Sequence, residues 1–346
     1  MPWSLDLKAL DGSSTLITGA KFESCRLTWA SDGVGAAEID LSAAHAGTGN
    51  WLYGQRRILA KDAAGTPRFQ GWLDRMERQG SPRDGPLGQT YKASVRGLSA
   101  ILEQRCVHGD FPQISVVATT IATALLAHVD AQTDDKTNFT IGTITGVAPA
   151  RSRWYCDGDI IKTAIDQLAD MSNGFSWEID AAGAFNAWVG GRGTDRTGTY
   201  TLTPAMCQDW SCVADMAGFA SYITAIGQDE DGPCGPPVQI DFVPDRTVYG
   251  RRETILSTDT NNDADTLEQA TEQLRAQWAS MINLHTSWIE GSAKAPWTFG
   301  TVWLGDKVNA ALGTEFGGTR AVRLVGITIT LEPGMHEFVE MEWEAA

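Results

Sequence analysis

The sequence predicts an α+β protein that is mainly β, with two similar antiparallel β-domains, a small α/β insertion domain between them and one long helix. Three observations predict this class: period-two alternation near both ends of the chain, a three-strand pattern that occurs twice, and helical periodicity in the middle. The 346 residues exceed the length over which one hydrophobic core usually grows. We place the first β-domain at 1–105, the insertion domain at 106–215 and the second β-domain at 216–346.

The repeated pattern occupies residues 54–98 and 305–343. Each copy has a short apolar strand, a loop containing glycine, a second strand entered through Arg-x-x-Gly, a turn and a third alternating strand. The motif runs from Arg68 to Gly71 in the first copy and from Arg323 to Gly326 in the second. We interpret the segments as a duplication, with chance resemblance between two hairpins as the alternative. Such an arrangement is rare in enzymes and common in ring-forming assemblies.

The elements of the two β-domains follow from alternation and turn residues. In the second copy, Glu332–Met335 has Pro and Gly at the positions that a type II turn favours. A long helix is predicted at about 264–282, with Leu267, Ala270, Leu274, Trp278 and Met281 on one face. The predicted strands of the two domains are Leu5–Leu10, Cys25–Trp29, Glu38–Leu41, Ile58–Lys61, Phe69–Arg75, Tyr91–Arg96, Tyr222–Ile226 and Val238–Phe242.

The middle of the chain alternates helical and strand patterns. A short helical turn is predicted at 97–105, and a helix begins after Ser115, which we expect to be its N-cap. A second helix is predicted over Ile160–Ser172, capped by Asp157 or Asp159 and ended by Asn173-Gly174. The segment 175–189 then predicts a β-hairpin. These elements make the α/β insertion.

Charge limits the class of partner. The formal net charge is −16, with a pI near 4.7, and nucleic-acid affinity comes largely from Lys and Arg. The sequence therefore argues against a DNA-binding surface. The N-terminal residues show no export signal and no window has the length of a membrane span, so we expect synthesis in the cytoplasm and no membrane-spanning segment.

The six cysteines give no zinc-finger spacing and no C-x-x-C pair. They are Cys25, Cys106, Cys156, Cys207, Cys212 and Cys234. We expect buried thiols and no cofactor. The alternative is that Cys207, Cys212 and Cys234, together with Cys156, ligate a metal ion or an iron–sulfur cluster, because thiolates are the usual cluster ligands.

No catalytic constellation is evident. The histidines (His45, His108, His128, His285 and His336) occur in unrelated contexts, and none lies in a metalloprotease motif or beside a recognisable nucleophile motif. The acidic runs at 229–231 and 259–265 lack calcium-loop spacing and are interpreted as solvated loops. The 13 tryptophans are scattered, so we expect most in the core, with a carbohydrate-stacking platform as the alternative.

Several segments in order resemble one family. These are the first β-domain ending in Gly97–Glu103, the helix after Ser115, Asp159–Ala169 with the hairpin after it, Ile223–Gly227, the helix near 264–281 and Leu304–Val308. Together they resemble the tail tip or baseplate hub proteins of tailed bacteriophages of the siphophage type, a family related in fold to contractile-phage hubs and type VI secretion spike bases. The resemblance covers nearly the whole chain, by order and pattern and not by one specific motif.

The resemblance implies a structural role and no enzyme activity. In such hubs two tail-tube-like β-barrels per subunit let a homotrimer present six similar barrels, so that a threefold tip docks on a sixfold tube. The implied location is the tail tip of the virion. The implied partners are further copies of the chain, a distal tail protein, a tail tube or tape-measure protein, and a central tip or fibre protein. DNA would pass through the lumen without specific binding. Some members of the wider family carry an iron–sulfur cluster.

Two alternatives remain at this level. A receptor- or carbohydrate-binding minor tail protein would expose a tryptophan platform. A tail-associated peptidoglycan hydrolase would place two carboxyl groups across a cleft.

Overall fold

The computed structural model describes most of the chain. The described residues are 3–9, 12, 14–31, 34–42, 56–79, 90–132, 137–171, 173–217, 219–226, 237–243, 246–247, 250–257, 267, 270–271, 282–316, 318–332 and 337–346.

The described elements are predominantly strands, as the sequence predicts. The strands of the first half are β1 Ser4–Ala9, β2 Thr15–Ala20, β3 Ser24–Ala30, β4 Ala36–Ser42, β5 Arg56–Lys61, β6 Pro67–Gln79, β7 Thr90–Gly97, β8 Phe111–Val117, β9 Thr140–Thr145, β10 Ala150–Tyr155, β11 Phe175–Ile179 and β12 Ala184–Val189. The later strands are β13 Thr201–Leu202, β14 Asp209–Ala214, β15 Tyr222–Ile226, β16 Pro237–Asp241, β17 Glu253–Ser257, β18 Ile282–Ile289, β19 Lys307–Ala311, β20 Thr319–Leu331 and β21 Phe338–Ala345. The α-helices are α1 Ala118–Gln132 and α2 Ile161–Ala169, and 3-10 turns span Leu98–Gln104, Pro204–Met206 and Thr314–Phe316.

One compact unit comprises Met1–Gly193, Ser287–Gly305 and Val325–Met341. Its main sheet has the strand order β2-β1-β5-β6-β7-β4-β3, with antiparallel neighbours, and residues Gly326–Leu331 of β20 pair with β3. Alternation explains why these strands form a sheet with one buried face: Cys25, Leu27 and Trp29 of β3 are buried.

The other compact unit comprises Thr194–Thr286, Asp306–Leu324 and Glu342–Ala346. It contains the three-stranded sheet β16-β15-β17, in which β15 is antiparallel to β16 and parallel to β17. In this unit β19 pairs with β13 in parallel and with Thr319–Arg323 of β20 in antiparallel orientation. The predicted three-domain division at 105 and 215 stays a prediction.

The repeated three-strand pattern is present in the structure. The first copy is β5, β6 and β7, joined antiparallel in that order, and the second is β19, β20 and β21. The central strand has 13 residues in both copies, and the last strand has 8 in both. The mainly β class is therefore confirmed, while closure of each unit into a barrel stays a prediction.

The middle region, residues 106–193, packs around its own apolar cluster. Ile121, Leu125, Ile165 and Leu168 of the two helices are fully buried there together with Phe185 of β12. The predicted hairpin at 175–189 is confirmed, with β11 and β12 in register from Phe175 opposite Val189 to Ile179 opposite Phe185.

Two cap predictions in this region are wrong. Ser115 lies inside β8 with a φ of 56°, and α1 begins at Ala118, because residues 111–117 pair with β10 before the chain turns helical. The N-cap of α2 is Ile160, which makes no side-chain cap hydrogen bond. The Asp159 carboxylate instead accepts a hydrogen bond from the Cys156 amide at 2.8 Å, because it closes the preceding turn.

Three other predictions fall wholly or partly on residues outside the described ranges. Of the long helix near 264–282, four residues are described: Leu267, Ala270 and Thr271 are helical, whereas Ile282 is the first residue of strand β18. Ala270 is buried against Ile223 as expected, whereas Leu267 is 45% exposed. Residues 333–335 of the predicted type II turn and the acidic runs at 229–231 and 259–265 lie outside the described residues.

Candidate functional site

A buried carboxylate fixes the segment that precedes β19. Asp306 accepts hydrogen bonds from the Thr194 amide at 2.7 Å and from Arg196 Nε at 2.8 Å, and it is 4% exposed. A buried charge that is paired and hydrogen-bonded in this way specifies one arrangement of the chain. Asp306 belongs to the Leu304–Val308 segment that carries part of the sequence resemblance, and its role here is structural.

An aromatic cluster surrounds the first Arg-x-x-Gly motif. Trp29, Phe299 and Trp303 lie with ring centroids 5.5 to 6.1 Å apart. The guanidinium of Arg68 lies 5.7 Å from the Phe299 ring and 5.9 Å from the Trp303 ring, and its Nε donates to Asp62 at 2.7 Å. The Arg68 carbonyl accepts from Trp29 Nε1 at 3.1 Å. The motif arginine therefore packs against an aromatic cluster of two tryptophans and one phenylalanine, which agrees with the expected core role of most Trp residues.

Two carboxylates near this cluster have pKa values shifted in opposite directions. Burial raises the pKa of Asp62, but hydrogen bonds from Arg68 and from the Thr66 and Ala64 amides outweigh it and lower the pKa below its ordinary value. For Glu337, burial raises the pKa; a hydrogen bond from Trp3 opposes this, and the charge of Glu290 adds to it. We assign both carboxylates to stability.

The candidate metal ligands are placed as follows. Cys207 is buried, and burial raises the pKa of its thiol to about 11, which favours the thiol over the thiolate that a cluster ligand requires. Cys212 is half-buried on β14, Cys156 is exposed in the turn before α2, and Cys234 lies outside the described residues. Within the described ranges, no group of three or more His, Cys, Asp and Glu side chains is arranged to hold a metal ion. The iron–sulfur assignment stays a prediction.

A surface cluster in the middle region was missed by the sequence reasoning. His108 Nε2 lies 3.8 Å from Cys106 Sγ, and His108 Nδ1 lies 3.8 Å from Asp157 Oδ1. The only sequence signal was the Cys-Val-His spacing, since Asp157 is distant in the chain. The His108 and Asp157 side chains are 60% and 74% exposed, so water screens the group. We assign it no catalytic role.

The described tryptophans leave one exposed ring. Trp154 on β10 is 61% exposed, and it stands opposite Pro112 in the pairing with β8. Ile114, two residues further along β8, is 73% exposed. Paired residues and residues two apart share a face of a β-ribbon, so these three side chains form one apolar surface. We call Pro112, Ile114 and Trp154 the ribbon face.

No helix within the described residues combines the length and the apolar character that a bilayer crossing needs.

Comparison with known proteins gives similarity of structure only. No protein-family model matches the chain, and no curated protein matches its sequence. The tail protein from Neisseria meningitidis MC58 is similar with a TM-score of 0.72 at 14% identity, covering 99% of this chain and 97% of that one. The 43 kDa tail protein of prophage MuSo2 from Shewanella oneidensis is similar with a TM-score of 0.71 at 13% identity, covering 98% of each chain.

The similarity extends to secretion machinery. A component of the type VI secretion system of E. coli, itself described as similar to the T4 bacteriophage tail proteins gp27 and gp5, has a TM-score of 0.56 at 9% identity, covering 100% of this chain and 77% of that one. The predicted relationship in fold is thereby confirmed. This chain has the fold of these phage tail and type VI secretion proteins.

Proposed function

We propose that this chain is the structural hub of a bacteriophage tail tip, where three copies form a ring. The observation that carries the proposal is the repeated unit: β5, β6, β7 and β19, β20, β21 have the same strand order and central strands of 13 residues. Three chains would present six such units. A ring of this kind docks on a sixfold tube on one side and on a threefold tip on the other.

The proposed partners follow from that position. They are further copies of the chain, a distal tail protein, the tail tube or tape-measure protein, and a central tip or fibre protein. A tail protein of known structure matches the fold over 99% of this chain, which supports a position in the tail. The location is the tail tip of the virion, after synthesis in the host cytoplasm.

The charge supports a conduit for DNA. With a formal net charge of −16, the protein would repel a phosphate backbone, so DNA would pass through the lumen without specific binding. The proposed role is structural and requires no turnover.

Light scattering of the purified full chain tests the assembly. We expect a mass of three times the 37.3 kDa of one chain. A monomer at all concentrations, or cryo-EM density that places the protein away from the tail axis of its virion, would overturn the hub.

A second candidate is a receptor- or carbohydrate-binding tail protein. The exposed indole of Trp154 is the observation that favours it, since sugar rings stack on exposed aromatic faces. Binding of host envelope glycans that is lost in Trp154→Ala would support this candidate. For the peptidoglycan-hydrolase alternative, no specific observation on the described residues speaks in its favour.

A further inference from the structure

The middle region carries a second apolar surface besides the ribbon face. It lies on β9 and on the residues that directly follow β9. Among the described strands, β9 is an edge strand with β12 as its one neighbour in the sheet. All residues from Thr140 to Val147 are exposed; Ile141 is 52%, Ile144 37% and Val147 80% exposed. We call Ile141, Ile144 and Val147 the β9 edge.

Pairing shows why the β9 edge is apolar. Ile141 stands opposite Phe185 and Ile144 opposite Ala187, and both partners are fully buried. Paired residues share a face of the sheet, so the two isoleucines extend the apolar face of Phe185 and Ala187. The part of this face on β12 is buried, whereas the part on β9 is exposed to solvent. An exposed strand edge with apolar side chains is a template for another chain.

The two surfaces rest on one core. Tyr155 and Phe111, which pair directly next to Trp154 and Pro112, pack with the apolar cluster of the middle region, and so do Phe185 and Ala187 behind β9. The ribbon face and the β9 edge are therefore held in a fixed relation within one compact unit.

Charge indicates what kind of partner fits. The segment 137–150 contains no Asp, Glu, Lys or Arg, although 20% of the residues of the chain are charged. The ribbon face is also uncharged. Two copies of a chain with a net charge of −16 repel one another, and they approach most easily where neither presents carboxylates.

Cyclic symmetry explains why there are two surfaces. A ring of three copies uses a heterologous contact, in which a surface on each copy meets a different surface on the next. We propose that the ribbon face of one copy docks on the β9 edge of the neighbouring copy. Trp154 is the central side chain of this contact, because a buried Trp is a common hot spot of protein interfaces. This contact rests on the proposed trimer, and it specifies which surfaces of neighbouring copies meet.

A copy fits better than a saccharide. A saccharide at Trp154 would leave the β9 edge unexplained, whereas a second copy of the chain accounts for both surfaces.

Charge substitutions on the full chain test the contact. Trp154→Lys and Ile141→Glu should each raise the dissociation constant of the trimer by about 30-fold or more, measured by light scattering over a dilution series. Ala182→Glu, at an exposed hairpin turn of the same region, is the control and should leave the trimer intact. The double variant W154K/I141E should recover at least part of the affinity, because opposite charges then meet across each contact.

The outcomes separate the two proposals. If the unsubstituted chain is not a trimer, the hub proposal and this inference both fail. If it is a trimer that W154K and I141E leave unchanged, the hub stands and the contact is wrong. Losses that merely add in the double variant also overturn the pairing of these two surfaces. A Trp154 variant that stays trimeric but loses glycan binding assigns the ribbon face to a receptor instead. Unfolding midpoints equal to that of the parent chain show that the variants are folded.

Discussion

The two copies of the three-strand pattern share their strand order but fill their buried faces differently. Strands β5, β6 and β7 are called the first unit below, and strands β19, β20 and β21 the second unit. In the first unit, the buried residues of β7 are small: Ala93, Val95 and Gly97. In the second unit, the corresponding face of β21 carries Val339, Met341 and Trp343, all at most 1% exposed. The first unit therefore depends on close approach of backbones, and the second on large side chains that occupy the space between elements.

The central strands differ in their neighbours as well. In the first unit, β5 pairs with Pro67–Trp72, across the Arg-x-x-Gly motif itself. In the second, β19 pairs with Thr319–Arg323, up to the motif arginine, and β3 pairs from the motif glycine onwards. The same motif thus occurs in two different strand arrangements. Four substitutions test how strongly the stability of the protein depends on the packing and the charged groups of each unit.

The largest effect is expected at Trp343. Its ring is buried, and its Nε1 donates to Thr286 Oγ1 at 3.0 Å. Trp343→Ala should lower the free energy of unfolding by about 4 kcal/mol, since it leaves a large cavity and an unpaired hydroxyl. Trp343→Phe, which keeps much of the ring, should cost about half of that. Urea denaturation measures both. Equal, small losses would show that the second unit does not depend on this side chain.

The next effect tests close packing in the first unit. A Cβ on Gly71 would lie 2.3 Å from the Arg96 carbonyl oxygen and 2.8 Å from Val95 Cγ1. Gly71→Ala should therefore destabilise the protein by about 3 kcal/mol, because backbone atoms must move. Gly198→Ala is the control, since nothing lies within 4 Å of a Cβ there, and it should shift the urea midpoint little. A tolerated Gly71→Ala would contradict close approach as the organising feature of this unit.

A smaller, pH-dependent effect is expected at Asp62, whose carboxylate holds the first motif arginine. Its pKa is lowered, so the ionised form stabilises the fold above the unfolded-state pKa, and this stabilisation disappears as the pH falls through the folded-state pKa. Asp62→Asn should cost about 1 kcal/mol near neutral pH and nothing in strong acid. Thermal unfolding across this pH range measures it. A cost that is independent of pH would rule out the ion pair as its source.

The smallest effect, of opposite sign, is expected at Glu337, just before β21. Because its pKa is raised, ionisation destabilises the fold as the pH rises through the folded-state pKa. Glu337→Gln keeps an acceptor for Trp3 and removes the charge near Glu290, so it should stabilise the protein by about 0.5 kcal/mol at neutral pH. The gain should vanish below the ordinary pKa of a glutamate. Parallel melting curves of the two proteins at every pH would contradict the assignment.

The strands that alternate clearly were predictable, because alternation records which face of a sheet is buried. Tyr222–Ile226 is predicted with its observed bounds, and the observed β3 and β7 each extend one residue beyond the prediction at both ends. The prediction that Ser115 is an N-cap was wrong. Its hydroxyl suits an N-cap, but the pairing of β8 with β10 places it within a strand. Strand β9 was missed, since its Thr, Ile and Gly residues are exposed and show no alternation of burial.

The sequence by itself determined the class, the repeated unit and the acidic surface, since these depend on local periodicity and composition. Only the tertiary structure decided which residues meet across the chain. Asp306 pairs with Arg196, His108 lies near Asp157, and the guanidinium of Arg68 lies over the ring of Trp303. Each of these contacts joins segments that are distant in the chain. Such contacts depend on which strands become neighbours in a sheet. Local hydrophobic periodicity shows which face of a strand is buried, but it does not show which distant strand lies beside it.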